Sequence, residues 1–393
     1  MERVTIKHFG NIQEVTLDLK KFNVIIGPQS SGKSTIAKIV SYCYWLEKQF
    51  VINLGEYQVQ LNQFWADLSI FHNMSGYLTK DSYIAYESDY LKFCGQRDGF
   101  TCEMKDGFLE KYIRSKVSYI PSDRNFVAMP RLEKFQLPDI SLRSFIFDWY
   151  DARKYYPQNN TLNILDLDMS YYLREGIHGN EDRLIGGKNN AYDILLSQAS
   201  SGLQSIVPLL VTLEYYAKDF FERSDVELSY DDRELNRFLE EKIQSDEVRQ
   251  NIMAPHFTRF ILEEPEQNLF PTTQKELIYQ LIRMQKAAEY GHSFMITTHS
   301  PYILATFNLL LFATTVAEES EELKTQIDQK LRDLSLSLKD FGAYYLDTKD
   351  GKVELVDLID EETGMISQNE LDTVSEEIAL DFNKIYSMYA KLM

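Results

Sequence analysis

The stretch "FNVIIGPQSSGKST", Phe22 to Thr35, decides the fold of this 393-residue chain. Its first five residues, Phe22 to Ile26, include one polar residue only, which is typical of a strand buried on both faces. The segment from Gly27 to Ser34 then matches the pattern G-x-x-x-x-G-K-[ST]. A helical apolar stripe follows at Ile36, Ile39, Val40 and Cys43. Strand, glycine-containing loop and helix therefore occur in the order that a phosphate-binding loop requires.

Each part of this loop suits the binding of a nucleoside triphosphate. Glycines let the backbone wrap closely around phosphate oxygens, and the start of the following helix presents its positive end to them. Lys33 supplies a charge to the β- and γ-phosphates, and the Ser34 hydroxyl can bind Mg²⁺. We expect ATP and Mg²⁺ as ligands, with the nucleotide held by Gly27, Ser30, Ser31, Gly32, Lys33, Ser34 and Thr35.

A second stretch, "RFILEEP" from Arg259 to Pro265, ends an apolar run in two adjacent acids. Adjacent residues on a strand point to opposite faces, so Glu263 can face a metal ion while Glu264 faces an attacking water. Alone, the stretch is equally well explained as a solvated acidic turn, but the phosphate loop upstream favours a site. A third acid, Glu266, directly follows the stretch and receives no role from the sequence.

The segment "FMITTHSP" places His299 just beyond another buried strand. About 35 residues separate it from the acids, which leaves room for one helix between two parallel strands. The carboxyl ends of parallel strands meet at one edge of the sheet, where open α/β sheets bind ligands. We therefore expect His299 beside Glu264, with its Nε2 available to the γ-phosphate or the attacking water.

The segment "QASSGLQ" precedes a long helical pattern from Ser201 to Arg223. Small residues and hydroxyls at the start of a helix make an anion site, and they equally make a plain N-cap. Both interpretations remain open for Ser200, Ser201, Gly202 and Gln204.

The composition limits the class of protein. No window approaches 18 consecutive apolar residues, and "MERVTIKHFG" lacks the apolar core of a signal peptide, so we expect a cytoplasmic protein without a membrane span. Three cysteines argue against a disulfide framework. A net charge of −19 argues against general coating of nucleic acid. The Lys and Arg residues between Lys111 and Lys154 still allow a local nucleic-acid-binding patch.

The remaining patterns outline the rest of the chain. "RVTIKHF" and "EVTLDLK" alternate like two half-buried strands around the turn "GNI". Further expectations are strands in 80–121, helices within 125–195, an exposed helical pair or a mobile insertion in 223–250, a charged helix over 316–339, a hairpin over 342–358 with its turn at Asp350–Gly351, and a helix in the last 25 residues.

Together these pieces resemble the motifs of ABC-type ATPases, within them the RecF, SMC and OLD-like branch. Gly27–Thr35 resembles Walker A. "SSGLQ" resembles the signature "LSGGQ", with Leu203 in place of the second glycine. "FILEE" resembles Walker B, which makes Glu263 the metal-associated acid and Glu264 the catalytic glutamate. "NLFP" (Asn268–Pro271) resembles the D-loop, and His299 the switch histidine.

Two departures from the family pattern stand out. The usual Walker B acid is Asp, and here it is Glu263. No glutamine is obvious for the Q-loop, whose expected place after a strand is taken by "YIPSDRNF", so that its role can fall to Ser122, Asp123 or Arg124.

The resemblance implies an α/β fold: a P-loop ABC-type ATPase head with a mainly parallel sheet, an antiparallel β subdomain and a helical signature lobe. The chain is then one composite domain over 1–393. Its parts are a nucleotide-binding lobe of 1–124 and 256–313, a helical lobe of 125–255 with the signature and the polar insertion, and a C-terminal hairpin and helices of 314–393.

The resemblance also implies a homodimer, or a higher homo-oligomer built from it, in which two protomers sandwich two ATP molecules. Ser201, Gly202 and Gln204 of one subunit then contact the nucleotide of the other. Catalysis falls to Glu264, His299 and Lys33, and the metal to Ser34 and Glu263.

The chain shows no pattern of the long coiled-coil arms of SMC proteins. It also shows no acidic pair of the TOPRIM type after His299, so we expect no nuclease in it. It resembles stand-alone ATPase subunits of bacterial anti-phage systems, the PtuA family of Septu and the AriA family of PARIS. That implies a nucleotide-gated sensor and scaffold for a separate effector, a nuclease or toxin. The alternatives are a RecF-like repair ATPase that clamps DNA and a non-hydrolysing ATP-dependent scaffold.

Overall fold

The computed structural model describes residues 2–129, 140–176, 179–187, 191–222, 230–332, 334–349, 352–360, 362–367 and 380–385. The described strands, in chain order, are β1 (Glu2–Phe9), β2 (Ile12–Leu19), β3 (Phe22–Ile26), β4 (Leu78–Glu87), β5 (Leu91–Gln96), β6 (Gly99–Met104), β7 (Ser115–Ile120), β8 (Leu162–Asn163), β9 (Met169–Arg174), β10 (Glu181–Gly186), β11 (Tyr192–Leu195), β12 (Phe257–Glu263), β13 (Ser293–Thr297), β14 (Phe341–Lys349) and β15 (Lys352–Asp357).

Helices connect these strands. The described α-helices, in chain order, are α1 (Lys33–Ile52), α2 (Leu61–His72), α3 (Phe108–Lys111), α4 (Ile140–Ala152), α5 (Ser201–Glu214), α6 (Tyr230–Lys242), α7 (Asp246–Met253), α8 (Pro271–Gln285), α9 (Pro301–Glu319) and α10 (Glu321–Leu331). The long helix expected from Ser201 to Arg223 is α5, which continues as a π-helical turn over Tyr215–Asp219.

One eleven-stranded sheet organises most of the chain, in the order β6-β5-β4-β1-β2-β15-β14-β3-β13-β12-β7. The strands from β14 to β7 are parallel neighbours, and those from β6 to β2 are antiparallel neighbours. The expected fold class is therefore confirmed, including the β1–β2 pair and the strand-rich segment 80–121. Because β3, β13 and β12 run side by side in one direction, their carboxyl ends meet at the same edge.

Strand β3 separates two apolar cores. Val24 and Ile26 pack into the core beneath α5, α8 and α9, while Ile25 packs into the core beneath α1. All five residues of β3 are buried, which explains why the strand carries almost no polar residue.

A second, four-stranded antiparallel sheet lies in the order β11-β10-β9-β8. The sequence patterns are mixed within 125–195 and predicted helices there, and the structure has both α4 and this sheet in that range. Hydrogen bonds between polar side chains join its strands: the Tyr171 hydroxyl donates to Asp182, and the Arg183 guanidinium donates to Asp193. The division of the chain into lobes stays a prediction.

The polar stretch 223–250 forms a helical pair where the structure describes it, so the first of the two alternatives holds for 230–253. Helices α6 and α7 contribute Leu239 and Ile252 to a small apolar cluster with Val51 and Tyr112. The pair is thus attached to the end of α1. Residues 223–229 lie outside the described residues.

The charged helix expected over 316–339 is divided between two helices. Helix α9 ends at Glu319, and the Ser320 hydroxyl accepts a hydrogen bond from Leu323 N–H to begin α10. Among the described residues, α9 is the one helix long and apolar enough to cross a membrane by length and composition. Its sequence contains no uninterrupted apolar run of 18 residues, because polar residues such as Asn308 divide it. Its Phe307 and Leu310 are buried in the core.

The C-terminal hairpin is confirmed as β14 and β15, with its turn at 350–351 outside the described residues. The helix expected in the last 25 residues also lies mostly outside them, and the described segment 380–385 is helical.

A buried ion cluster fastens α1 to β12. The Arg259 guanidinium donates to Glu2 at 2.8 Å and to Glu47 at 3.4 Å, and it stacks 4.0 Å from the Tyr44 ring. The Tyr86 hydroxyl donates to the other Glu47 oxygen at 2.9 Å. Arg259 and Glu47 are both almost fully buried, so each charge depends on the other for compensation.

Replacing Arg259 with Met is expected to lower the free energy of unfolding by about 3–5 kcal/mol at pH 8, because Glu2 and Glu47 lose their buried cation. Burial raises the pKa of Glu47 to about 7. The folded chain therefore binds this proton more tightly than the unfolded chain, and protonation favours folding as the pH falls. Urea unfolding of the variant should show a smaller loss at pH 6 than at pH 8.

The double variant Arg259→Met, Glu47→Gln is the control, since it removes both charges of one pair. It should recover part of the lost stability. Equal losses at both pH values, or no recovery in the double variant, would contradict this account of the cluster.

Candidate nucleotide-binding site

The loop between β3 and α1 has a conformation that depends on glycine. Gly27 has φ 153° and Gly32 has φ 100°, values that side-chain-bearing residues rarely adopt. A Cβ at Gly27 would lie 2.9 Å from Ser31 Oγ and 3.0 Å from the Leu346 carbonyl oxygen. The loop can wrap this closely only because both positions lack a side chain.

The Lys33 ammonium lies over the loop. It donates to the carbonyl oxygens of Gly27 at 2.8 Å and Pro28 at 2.7 Å. Burial lowers the pKa of Lys33 to about 8, against the opposing effect of Glu264 and Glu266. The amine is therefore predominantly cationic at neutral pH, at the start of α1, where the helix also favours anions.

A cavity of about 700 Å³ opens above this loop. It is lined by Asn11, Gln29, Ser30, Ser31, Gly32, Lys33, Ser34, Thr35, Tyr77, Glu264 and His299. The structure thus brings the predicted loop residues together with Glu264 and His299 around one space.

Asn11 and Tyr77 complete the cavity and were not predicted. The Asn11 amide donates to the Ser30 carbonyl oxygen at 2.5 Å. The Tyr77 ring stacks on Phe9, while the Tyr77 carbonyl oxygen accepts from Gly10 N–H at 2.8 Å. Asn11 lies in the predicted turn "GNI", but only tertiary packing delivers Tyr77, so no local pattern marks it.

The two adjacent glutamates point to different surroundings. Glu264 has φ 43°, so the chain leaves the strand direction at this residue and its side chain enters the cavity. Glu263 is buried instead, and its carboxylate accepts from the Tyr119 hydroxyl at 2.6 Å and from Ser122 N–H at 3.3 Å. Glu263 does not line the cavity, and its role at a metal stays a prediction.

The loop fits a triphosphate with Mg²⁺ by its own chemistry. Ser31 Oγ is buried without a hydrogen-bond partner among the described residues, and Gly32 follows it directly. Ser34 offers a hydroxyl to the cavity. The described residues contain no group of three or more His, Cys, Asp or Glu that could hold a metal alone. Mg²⁺ usually keeps several waters and shares substrate phosphates with one or two protein ligands, so a single hydroxyl such as that of Ser34 suits it.

His299 lies beside Glu264, as expected. Its Nε2 is 3.8 Å from Glu264 Oε1, and both side chains are about one-third exposed. Burial and the charge of Lys33 lower the pKa of His299, with Glu264 opposing them. The imidazole is therefore mainly neutral at pH 7, with one nitrogen able to donate and one able to accept.

Arg124 does not line the cavity, and it binds the backbone of the turn at Glu263–Glu264, which we call the glutamate turn. Its guanidinium donates to the carbonyl oxygens of Glu263 and Glu264, both at 2.9 Å, and to Ser205 at 3.1 Å. Burial lowers its pKa to about 10, so it keeps its charge. None of Ser122, Asp123 and Arg124 lines the cavity, and which residue replaces the Q-loop glutamine stays open.

The signature-like segment lies outside the cavity of its own chain. Ser200 is the N-cap of α5, since its hydroxyl accepts from Leu203 N–H at 3.5 Å, and Ser201 is exposed. The Gln204 amide donates to Ser197 and Ala199 carbonyl oxygens. Roles of Ser201, Gly202 and Gln204 in nucleotide binding stay predictions.

The start of α5 and the D-loop-like segment touch each other within the chain. A Cβ at Gly202 would lie 2.8 Å from the Asn268 carbonyl oxygen, so only glycine fits there without movement. Phe270, two residues further on, is 72% exposed.

The glycine-containing loop follows β3 of this mixed sheet, and Glu264 and His299 follow its parallel neighbours β12 and β13, which gives the chain the α/β architecture expected of it. No protein-family model and no curated protein matches the chain.

Among solved structures, the chain is similar to SMC head domains. One is a crystal structure of the SmcHead bound to the C-winged helix domain of ScpA, at 10% identity and TM-score 0.43, covering 92% of this chain and 98% of that chain. The SMC head domain from Thermotoga maritima has 11% identity and TM-score 0.39, covering 90% and 97%. A Smc head with an extended coiled coil, bound to the C-terminal domain of ScpA derived from Pyrococcus furiosus, has 11% identity and TM-score 0.39, covering 96% and 100%. The fold class follows from this chain's own strand order and loop.

Replacing Lys33 with Met is expected to weaken ATP binding about 10- to 100-fold, because a charge-assisted contact to phosphate contributes roughly 1.5–3 kcal/mol. Calorimetric titration with ATP and Mg²⁺ measures the affinity. Lys38→Met is the matched control, since Lys38 lies on the same helix and does not line the cavity. Equal ATP affinities of Lys33→Met and the wild-type chain would show that this loop does not bind the phosphates.

Proposed function

We propose that this chain binds and hydrolyses ATP with Mg²⁺. The single observation that carries the proposal is the cavity in which Lys33, Glu264 and His299 meet. Lys33 offers a cation for the phosphates, Glu264 a carboxylate for the attacking water, and His299 a neutral imidazole beside that carboxylate. Together they can support hydrolysis of a phosphoanhydride.

Each residue has a separate part in this reaction. The loop backbone and Lys33 bind the β- and γ-phosphates. Ser34 would hold the Mg²⁺, and Glu263 would act on its shell of water. Bound Mg²⁺ supplies charge neutralisation on the phosphates. Glu264 orients the attacking water and accepts its proton, and His299 hydrogen-bonds the γ-phosphate or that water.

We further propose that two copies close around two ATP molecules. Exposed Ser201 supports a contact in trans, since this residue lies outside the cavity of its own chain. Exposed Phe270 supplies apolar surface next to it. ATP shifts the equilibrium towards the closed dimer because it binds that state more tightly, and hydrolysis releases the dimer.

Replacing Glu264 with Gln is expected to lower ATP turnover at least about 100-fold, because the amide cannot accept the water's proton. ATP binding should persist, and light scattering should show an ATP-dependent dimer that outlives the wild-type dimer. A Glu264→Gln chain that hydrolyses ATP normally would exclude this residue as the base.

The double variant Glu264→Gln, Ser201→Arg tests the contact in trans. Ser201 is exposed, so the fold tolerates the larger side chain, and ATP binding to the monomer should remain. The ATP-dependent dimer should be lost. If that dimer persists, the signature-like segment is not at the interface.

At the level of biology, we propose a nucleotide-gated sensor and scaffold for a separate effector, in bacterial anti-phage defence and in the cytoplasm. The motif resemblance to stand-alone ATPase subunits supports this role. The polar helical pair α6–α7 and the C-terminal tail are candidate docking surfaces. The net charge of −19 makes a DNA clamp the weaker alternative.

Purification of the tagged wild-type chain and of Glu264→Gln from the native host, each with ATP, tests the effector. We expect a nuclease or toxin at a stoichiometric ratio in one nucleotide state. Its absence in both states would contradict the scaffold role while leaving the ATPase intact. Turnover stimulated by duplex DNA, with a steep salt dependence, would favour the repair alternative.

A further inference from the structure

Glu266, the third acid of "EEPE", bridges the two loops that carry Glu264 and His299. Its Oε1 accepts hydrogen bonds from the Thr298 hydroxyl and from the His299 backbone N–H, each at 2.7 Å. The first loop follows β12 and the second follows β13. One carboxylate oxygen therefore fixes the backbone of the histidine relative to the glutamate turn.

This carboxylate is not one of the solvated acids of an acidic chain. Its Oε2 is buried and has no hydrogen-bond partner among the described residues. A buried carboxyl group is costly unless its hydrogen bonds compensate, so the two bonds at Oε1 are what keep Glu266 in place. A solvent-exposed glutamate would not need these two hydrogen bonds, because water would solvate its carboxylate.

The bridge continues to the D-loop-like segment. Thr298 Oγ1 also accepts from Ser300 N–H at 3.0 Å, and the Ser300 hydroxyl donates to Gln274 Oε1. The Gln274 amide in turn donates to the Leu269 carbonyl oxygen at 2.9 Å. Glu266 and Gln274 thus hold the three-residue loop 298–300 from two sides.

The anchored backbone determines where the imidazole lies. With its N–H held by Glu266, His299 places Nε2 in the cavity, 3.8 Å from Glu264 Oε1. A side chain that is one-third exposed has few contacts of its own to fix it. Release of the backbone would therefore allow the ring to leave this position.

We propose that Glu266 is a positioning residue, which holds the backbone of His299 so that the imidazole faces the reacting phosphate beside Glu264. The inference rests on the proposed ATP hydrolysis and gives the unassigned acid of "EEPE" a purpose. Glu266 acts through Thr298 and His299 and does not touch the nucleotide.

Steady-state kinetics of Glu266→Ala and Glu266→Gln test this role. The Ala variant should lose about 10- to 100-fold in kcat, with the KM for ATP within about twofold, because the hydrogen bonds it removes are at Thr298 and His299 and not in the phosphate loop. The Gln variant keeps an acceptor oxygen for Thr298 and His299 and should retain most of the turnover. Glu289→Ala, an exposed acid remote from the cavity, is the matched control and should behave like the wild-type chain.

Two kinetic results would overturn the proposal. One is an Ala variant with normal kcat. The other is a Gln variant that loses as much kcat as the Ala variant, which would mean that the negative charge matters and the acceptor geometry does not. If the Ala variant loses stability broadly, the Gln variant decides, since it preserves the packing.

Hydrogen-exchange mass spectrometry separates this inference from the proposed function. Peptides that cover Thr298–Ser300 should exchange faster in Glu266→Ala than in the wild-type chain and in Glu266→Gln. If the wild-type chain does not hydrolyse ATP and Glu266→Ala still exchanges faster than it does, the anchoring role of Glu266 stands and the proposed ATPase activity fails. Unchanged exchange in the Ala variant would remove the anchor, whatever the turnover.

Discussion

The chain turns sharply at the second of two consecutive glutamates, and one buried guanidinium holds that turn through the carbonyl oxygens of both. Glu264 has φ 43°, a conformation unfavourable for a residue with a side chain. Arg124 compensates with hydrogen bonds to the carbonyl oxygens of Glu263 and Glu264. A third bond, to Ser205, joins the same cation to α5. The turn, the buried acid and the signature helix therefore share one anchor.

The sheet supplies the second constraint, because β3, β13 and β12 are parallel neighbours. Their carboxyl ends bring the phosphate loop, His299 and Glu264 to one edge, although about 230 residues separate β3 from β12 in the chain. The ion cluster of Arg259 fastens α1 to β12 from the opposite face. The cavity is therefore held by the sheet and by two buried arginines, each of which satisfies groups from more than one element.

Much of this arrangement could be predicted from sequence periodicity. The buried strand, the phosphate loop, the helix and the two later strands each carry a local pattern, and parallel pairing then places Glu264 beside His299. The second sheet could not be predicted, because its strands are short and depend on pairs such as Tyr171 with Asp182. The carbonyl clamp of Arg124, the wall of Tyr77 and the bridge of Glu266 depend on residues distant in the chain, which no local pattern reveals.

The contact between Gly202 and the Asn268 carbonyl oxygen has a consequence for kinetics. It joins the start of α5 directly to the segment beyond the glutamate turn, with no side chain between them to absorb a displacement. In the proposed dimer, the start of α5 contacts the ATP bound to the other subunit, while Glu264 in the glutamate turn acts on the ATP bound to its own subunit. Occupancy of one site would then bias the affinity of its twin, and ATP turnover would rise sigmoidally with ATP concentration.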